Sequence, residues 1–222
     1  MVEGDSSASV YGLAMVDVMF PTSDGETLQG DLAQVDDPAL AVVITHPHPL
    51  MGGDMYTPVP AGFFQAASTR DDVTALRFNF RGVGRSTGTH DKGSAERLDV
   101  LAAIAHIAEV APGAPVVLAG WSFGADVSLT VDDERVAGWF LAAPPLRVVG
   151  ADDMAASSHK APKVLAIGDH DQYNDPASAQ ETTANWTNTT VEVIDGADHF
   201  FGPALPNLVA KFAQFLDEGV TT

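Results

Sequence analysis

The chain contains no cysteine, which excludes disulfide bonds, catalysis by a thiol and cysteine-based metal sites. Basic residues are also scarce: 11 lysines and arginines stand against 30 aspartates and glutamates, giving a formal net charge of -19. This charge argues against partners such as nucleic acid or an anionic membrane surface. No apolar run reaches the roughly 20 residues that a membrane-spanning helix needs.

The first twenty residues lack the basic segment that begins a secretory signal peptide, and they carry Glu3 and Asp5. We therefore expect a cytoplasmic protein, either a monomer or a homodimer. The 222 residues, of which 45% are hydrophobic, suffice for one domain with a full core. We expect that domain to span residues 1–222, with residues 1–12 as a loose tail.

Short apolar runs alternate with helical patterns along the chain. Strands are predicted at 16–21, 28–35, 41–45, 73–80, 115–120, 136–142, 163–167 and 191–194. Helices are predicted at 62–70, 94–110, 125–131, 177–186 and 205–216. This alternation predicts an α/β fold: a mostly parallel central sheet with helices on both faces, preceded by an antiparallel hairpin.

Residues 120–124 read Gly-Trp-Ser-Phe-Gly and form the most informative motif in the chain. A strand-like run precedes them and a segment that can form a short helix follows. A sharp strand-to-helix turn holds its central residue in a strained conformation and lifts that side chain clear of the sheet. Small residues flank it because the two backbones approach too closely for a Cβ. The motif predicts Ser122 as a nucleophile at the mouth of a pocket.

A serine is a weak nucleophile unless a base activates it and a third group orients the base. Candidates for both follow later strand-like runs. The run at 163–167 leads into Asp169 and Asp171, and the run at 191–194 leads to His199. All of them would lie at the carboxyl ends of parallel strands, where ligands bind in such sheets.

Four segments together resemble the α/β-hydrolase superfamily, and most closely its small, lidless bacterial branch of dienelactone-hydrolase-like and esterase-like proteins. They are His-Pro-His-Pro-Leu-Met-Gly-Gly at 46–53, Arg-Phe-Asn-Phe-Arg-Gly-Val-Gly-Arg-Ser at 77–86, the motif at 120–124, and Gly-Ala-Asp-His-Phe-Phe at 196–201. The likeness extends over roughly residues 15–217. The order serine, aspartate, histidine is also that of the superfamily. The resemblance implies the α/β-hydrolase fold.

The resemblance implies a Ser-His-Asp catalytic triad. Its usual Gly-x-x-Asp pattern selects Asp171 as the acid, with Asp169 as the alternative, and its last-strand loop selects His199 as the base. It also implies an oxyanion hole with two backbone N–H donors, the first of which would be that of Phe123.

The second oxyanion donor would come from the loop after the strand at 41–45. Proline has no N–H, so neither Pro47 nor Pro49 can serve. We favour His48, with Leu50 and Met51 as alternatives. Each such donor contributes about 100-fold or more to the rate of acyl transfer.

The stretch 147–162 is too short for the lid domain that hydrolases of this type often carry after the sixth strand, so we expect no cap domain and an open pocket. Candidate pocket residues are Leu50, Met51, Trp121 and Phe200. The expected function is hydrolysis of small or short-chain carboxylic esters, with a small-molecule ester or acyl substrate and with no metal or organic cofactor. The alternatives are a thioesterase, a peptide hydrolase anchored by Asp54 or Asp153, and a non-catalytic binding protein on the same fold.

Three further features have competing interpretations. His46 and His48 could bind a metal ion, although no third ligand is evident and a buried structural histidine is the simpler interpretation of His46. The segment 81–88 contains three glycines and two arginines but matches no phosphate-binding spacing, so a structural turn is favoured. Asp126, in the first turn after the nucleophile, is expected to interact with the helix dipole.

Overall fold

The computed structural model describes residues 15–150, 153–218 and 220, so the loose tail predicted for residues 1–12 lies outside the described residues. The strands are β1 (Met15–Pro21), β2 (Thr27–Ala33), β3 (Leu40–Thr45), β4 (Val73–Phe78), β5 (Val116–Trp121), β6 (Val136–Ala142), β7 (Lys163–Gly168) and β8 (Thr189–Ile194). The helices are α1 (Pro58–Ser68), α2 (Glu96–Val110), α3 (Phe123–Leu129), α4 (Pro176–Thr182) and α5 (Leu205–Glu218).

The strands form one sheet in the order β1-β2-β4-β3-β5-β6-β7-β8. β2 runs antiparallel to β1 and β4, and every other neighbouring pair is parallel. The order of connection reverses between β3 and β5, because β4 lies on one side of β3 and β5 on the other. Loops that follow these two strands therefore meet at the point where open α/β sheets bind ligands. The predicted parallel sheet and antiparallel hairpin are confirmed.

Helices cover both faces of the sheet, as predicted. On one face, α2, α3 and α4 bury apolar side chains against the strands, and on the other face α1 and α5 do so. β3 and β5 are buried along their whole length because they lie between these two layers. The strand ends that carry the candidate residues are thereby held on a rigid central scaffold.

The two largest differences from the predicted helix boundaries, four residues each, have identifiable reasons. Helix α1 begins at Pro58, four residues before the predicted start. Proline fits the first turn of a helix because a backbone N–H there has no acceptor within the helix, so its absence breaks no hydrogen bond. Helix α4 ends at Thr182 rather than at residue 186. The chain then needs residues 183–188 to reach β8, which begins two residues earlier than predicted.

The segment after β6 carries no inserted domain. Its described residues, 143–150 and 153–162, include a short 3-10 helix at Ala155–Ser158 and neither a strand nor an α-helix. The expectation that no cap domain covers the carboxyl edge of the sheet is confirmed. Among the helices in the described part of the chain, none combines the length and apolar character needed to cross a membrane.

The glycine-rich segment after β4 is a structural turn, as favoured. Gly82, Gly84 and Gly88 all adopt positive φ, and the Arg81 guanidinium is buried in an ion pair with Asp99 at 2.7 Å. Asp99 also accepts the Arg81 backbone N–H and is fully buried. Burial raises the pKa of Asp99 above its ordinary value although the adjacent Arg81 opposes that shift. This carboxylate therefore depends on its arginine partner to remain ionised in the core.

We expect Asp99→Ala to lower the free energy of unfolding by about 3 kcal/mol, because it leaves the buried Arg81 guanidinium with a single carboxylate, Asp24. Urea unfolding of both proteins measures the difference. The matched control is Asp17→Ala, which removes the carboxylate from the exposed Asp17–Arg85 pair and should cost less than about 1 kcal/mol. Equal effects of the two substitutions would contradict the buried ion pair as a source of stability.

Candidate active site

Ser122 occupies a strained turn between β5 and α3. Its φ of 54° and ψ of -117° lie outside the regions that residues other than glycine readily adopt. The turn is held on both sides: the Ser122 N–H donates to Ala142 O at 2.9 Å, and the Asp126 N–H donates to Ser122 O at 3.1 Å. The side chain is consequently presented at the carboxyl edge of the sheet, at the reversal between β3 and β5.

The two glycines of the motif are required by close backbone contacts. A Cβ at Gly124 would lie 2.5 Å from His46 O and 2.7 Å from Thr45 Oγ1, and one at Gly120 would lie 2.5 Å from Thr45 Oγ1. The end of β3 therefore packs directly against the turn. Such contacts leave no space for a side chain, which explains the spacing of small residues around Ser122.

A continuous chain of hydrogen bonds links Asp171, His199 and Ser122. His199 Nε2 lies 2.9 Å from Ser122 Oγ, and His199 Nδ1 lies 2.9 Å from Asp171 Oδ2. The Asp171 side chain is fully buried and that of His199 is nearly so, whereas Ser122 is partly exposed. The fold thus joins three residues that are 49 and 28 positions apart in sequence, in the arrangement that serves acyl transfer.

Backbone groups fix the orientation of both partners of Ser122. Asp171 Oδ1 accepts the N–H groups of Tyr173 at 2.8 Å and Asn174 at 3.2 Å, so the loop after β7 wraps around the carboxylate. The loop that carries His199 is held by Trp121, whose Nε1–H donates to His199 O at 3.1 Å. The position of the imidazole is therefore fixed both by the hydrogen bond to its backbone carbonyl and by the hydrogen bond at its Nδ1.

Asp169, the alternative acid, points elsewhere. Its Oδ1 accepts the Ala197 N–H at 3.2 Å and lies 3.0 Å from Nδ1 of the exposed His170. These contacts shape the turn between the loops after β7 and β8. Between the two aspartates, Asp171 is the one within hydrogen-bond distance of His199.

The loop after β3 brings two histidines to the site with different environments. His46 is fully buried: its Nε2 accepts the Phe80 N–H at 3.0 Å, so Nδ1 carries the proton and donates to Pro47 O at 2.7 Å. Burial lowers the pKa of His46 to about 4. This is the structural histidine favoured above. No group of three or more histidine, aspartate or glutamate side chains in the described residues is arranged to hold a metal ion.

His48 lies at the surface of the site, next to the residue that follows the nucleophile. Its Nδ1 accepts the Leu50 N–H at 3.2 Å, and its ring centroid is 5.1 Å from that of Phe123. Partial burial and the neighbouring His90 lower the pKa of His48. His48 and Phe123 line the same cavity as Ser122.

A cavity of about 440 Å³ opens at Ser122 and His199. Its walls are mostly apolar, and among the predicted pocket residues Met51, Trp121 and Phe200 contribute to them. Leu50 does not line the cavity, and its residue surface is 74% exposed, which corrects its assignment to the pocket. The 3-10 turn at Pro49–Met51 rotates Leu50 outward while its neighbour Met51 faces the cavity rim.

Among the lining residues that sequence reasoning missed, Tyr173 and Arg147 carry the polar groups nearest to His199 in the chain of ring contacts. The ring of Tyr173 lies 4.5 Å from that of His199, and the guanidinium of Arg147 lies 5.9 Å from the centre of the Tyr173 ring. Tyr173 could have been found as the residue two positions after the predicted acid, since loops at strand ends carry site residues. No comparable signal distinguished Arg147, whose place in the site depends on the path of the loop after β6.

Asp126 anchors that loop. Its buried carboxylate accepts the N–H groups of Leu146, Arg147 and Val148 at 2.9, 3.0 and 2.9 Å. Asp126 lies in the first turn of α3, as the expected interaction with the helix dipole requires, and the sequence did not show that its carboxylate also anchors the neighbouring loop. Burial raises the pKa of Asp126 to about 6.

Comparison with known proteins gives a consistent result. A family model described as an alpha/beta hydrolase domain matches residues 42–210. An uncharacterised protein of Rickettsia prowazekii is 29% identical over 198 residues, 84% of this chain and 82% of that protein.

Solved structures show the same architecture. An alpha-beta serine hydrolase homologue from Coxiella burnetii matches with a TM-score of 0.81 and 27% identity, over 95% of this chain and 100% of that chain. A serine hydrolase without a lid from Xanthomonas campestris matches with a TM-score of 0.82 and 23% identity, over 97% of this chain and 99% of that one, and this likeness concerns the fold alone.

The buried carboxylate of Asp126 should give the protein a specific dependence of stability on pH. Its folded-state pKa of about 6 exceeds the ordinary value of 3.8, so the unfolded chain loses this proton first as the pH rises. Relative to Asp126→Asn, the wild type should therefore lose about 2 kcal/mol of unfolding free energy between pH 4.5 and 7.5. Urea unfolding of both proteins at the two pH values measures this change. A difference that stays constant, or that moves in favour of the wild type, would contradict it.

Proposed function

This chain belongs to the alpha/beta hydrolase family, and on that basis we propose that it is a serine hydrolase that cleaves small or short-chain carboxylic esters through an acyl-enzyme. The observation that carries the proposal is the hydrogen-bonded chain from Asp171 through His199 to Ser122, which ends in an open, mostly apolar cavity. Fold alone would not support a reaction, since one fold hosts many functions.

In the proposed mechanism, His199 Nε2 takes the proton of Ser122 Oγ as that oxygen attacks the ester carbonyl. Asp171 holds the imidazole with its Nδ1–H towards the carboxylate and stabilises the imidazolium that forms. His199 then gives the proton to the leaving alkoxide, which departs as an alcohol. Water attacks the acyl-enzyme by the same route, releasing a carboxylic acid and restoring Ser122.

The oxyanion of the tetrahedral intermediate would be held by the backbone N–H groups of Phe123 and His48. Phe123 is the first residue of α3, so its N–H has no partner within the helix. Among the hydrogen bonds of the described residues, neither of these two N–H groups acts as a donor. Both residues line the cavity together with Ser122. Preorganised donors of this kind favour the transition state over the ground-state carbonyl.

The form of the cavity supports small substrates. Its volume of about 440 Å³ lies at the low end of the range for small-molecule sites, and no cap encloses it within the described residues. Met51, Trp121 and Phe200 offer apolar contacts to a short acyl or alcohol group. A thioester would use the same machinery, and it remains the nearest alternative substrate.

Hydrolysis of peptides from a free amino terminus is less well supported. That activity requires an acidic group to bind the substrate ammonium, and no carboxylate lines the cavity among the described residues. Asp54 is absent from its walls, and Asp153 lines a different cavity beside Lys92 and Arg97. A non-catalytic binding protein would have no need of the strained Ser122 or of its bond to His199.

Ser122→Ala should lower the rate of hydrolysis of p-nitrophenyl acetate and butyrate by about 10⁴-fold or more, because no other side chain can form the acyl-enzyme. Steady-state rates of p-nitrophenol release measure it. The control is Ser94→Ala, an exposed serine outside the cavity, which should retain wild-type rates. Ester hydrolysis retained in Ser122→Ala would refute the nucleophile. If the wild type hydrolyses neither ester, the absence of fluorophosphonate labelling at Ser122 would favour the alternative hypothesis of a non-catalytic binding protein.

The two aspartates after β7 offer a matched pair. Asp171→Asn should lower kcat by about 10⁴-fold, because an amide cannot hold the imidazole in the reactive tautomer or stabilise the imidazolium. Asp169→Asn preserves that contact and should change kcat by less than about 10-fold. The same p-nitrophenyl ester assay measures both variants. A larger loss in Asp169→Asn would assign the acid to Asp169 instead.

A further inference from the structure

The charges around the cavity are unlike those of the rest of the molecule. The chain carries 30 acidic side chains, yet the described lining contains none of them. Its basic members are His48, His199 and Arg147, and the last is a guanidinium, which stays charged at every physiological pH. Arg147 is therefore the one permanently charged side chain in the described lining, on a protein whose formal net charge is -19.

Arg147 is unusual among the arginines of the chain. Five of the seven form ion pairs with carboxylates, among them Arg81 and Arg85 of the segment 81–88, whereas Arg97 and Arg147 form none with the described residues. Arg147 forms no ion pair with any described residue, although acidic residues outnumber basic ones almost three to one. Its backbone N–H donates to Asp126, its guanidinium contacts the ring of Tyr173, and its charge acts to lower the pKa of Asp126.

The position of Arg147 is set by groups that also set the site. Asp126 holds the backbone on both sides of it through the N–H groups of Leu146 and Val148. Its guanidinium lies 5.9 Å from the Tyr173 ring centre, and that ring lies 4.5 Å from the ring of His199. Arg147 is therefore two contacts away from the proposed base and lines the same cavity as Ser122 and His199.

From this arrangement we propose that Arg147 binds a carboxylate on the substrate, so that the substrate class is esters that carry a negative charge near the scissile bond. The proposal rests on the proposed function and specifies its substrate. A guanidinium presents two parallel N–H donors that match the two oxygens of a carboxylate, and its contact with Tyr173 restricts its orientation. The apolar walls would receive the carbon chain between the charge and the ester.

Two pairs of esters test the proposal, one for each side of the scissile bond. On the acyl side, mono-p-nitrophenyl adipate is compared with p-nitrophenyl hexanoate, which has the same chain length without the charge. On the leaving-group side, p-carboxyphenyl butyrate is compared with the neutral p-carbamoylphenyl butyrate. The measured quantity is the ratio of kcat/KM for the charged ester to that for its neutral partner.

Arg147→Gln should lower this ratio by about 10-fold or more in at least one pair, which also tells which side of the ester carries the charge. Arg147→Lys should retain part of it, because an ammonium keeps the charge but loses the paired donors. Arg85→Gln changes the net charge equally at an arginine outside the cavity and should leave the ratio within about 2-fold. An unchanged ratio in both pairs for Arg147→Gln would overturn the proposal.

Binding separates this proposal from the proposed reaction. Calorimetric titration of Ser122→Ala with the same four esters, with and without Arg147→Gln, measures charge recognition in the absence of turnover. Weaker binding of a charged ester in the double variant supports the role of Arg147 even if the wild type hydrolyses none of the esters. Equal binding by both proteins overturns it even if the wild type is an active esterase.

Discussion

The close packing of three backbone segments at the Ser122 turn is the constraint on which the rest of the site depends. The end of β3 contacts the turn so tightly that neither Gly120 nor Gly124 has space for a Cβ. This contact holds Ser122 at a positive φ and aims its side chain out of the sheet. The strained conformation of Ser122 persists because the buried strands on both sides of β5 determine the path of the chain.

The same packing arranges the partners of Ser122. Loops from β7 and β8 reach the turn because the strands run parallel and end at the same edge of the sheet. The Asp171 carboxylate is fixed by the N–H groups of Tyr173 and Asn174, and the His199 loop by the indole of Trp121. Rigid strands and short loops thus hold these three side chains in one geometry, as the proposed acyl transfer would require.

Much of the fold and the candidate site could be predicted from the sequence because local physical rules govern them. Short apolar runs between helical patterns marked the strands, and the motif around Ser122 marked the turn. The sequence-based prediction failed where contacts between residues far apart in the chain determine the local structure. The start of α1 was misplaced because its prolines look like helix breakers, and Leu50 was assigned to a pocket that its turn directs it away from. The anchoring of the loop after β6 by Asp126 was not predicted.

The sequence alone determined the sheet architecture, the nucleophile candidate and the order of the possible acid and base, since these follow from periodicity, glycine spacing and the chemistry of the side chains. Only the tertiary structure decided which aspartate meets His199, because Asp169 and Asp171 differ by the direction in which one loop turns. It also decided that the cavity of this acidic chain is lined by an arginine and by no carboxylate among the described residues. The number of charged residues in a sequence does not tell where they lie in the fold. The approach of Arg147 to Tyr173, and of Tyr173 to His199, depends on loops that come together only in the folded protein.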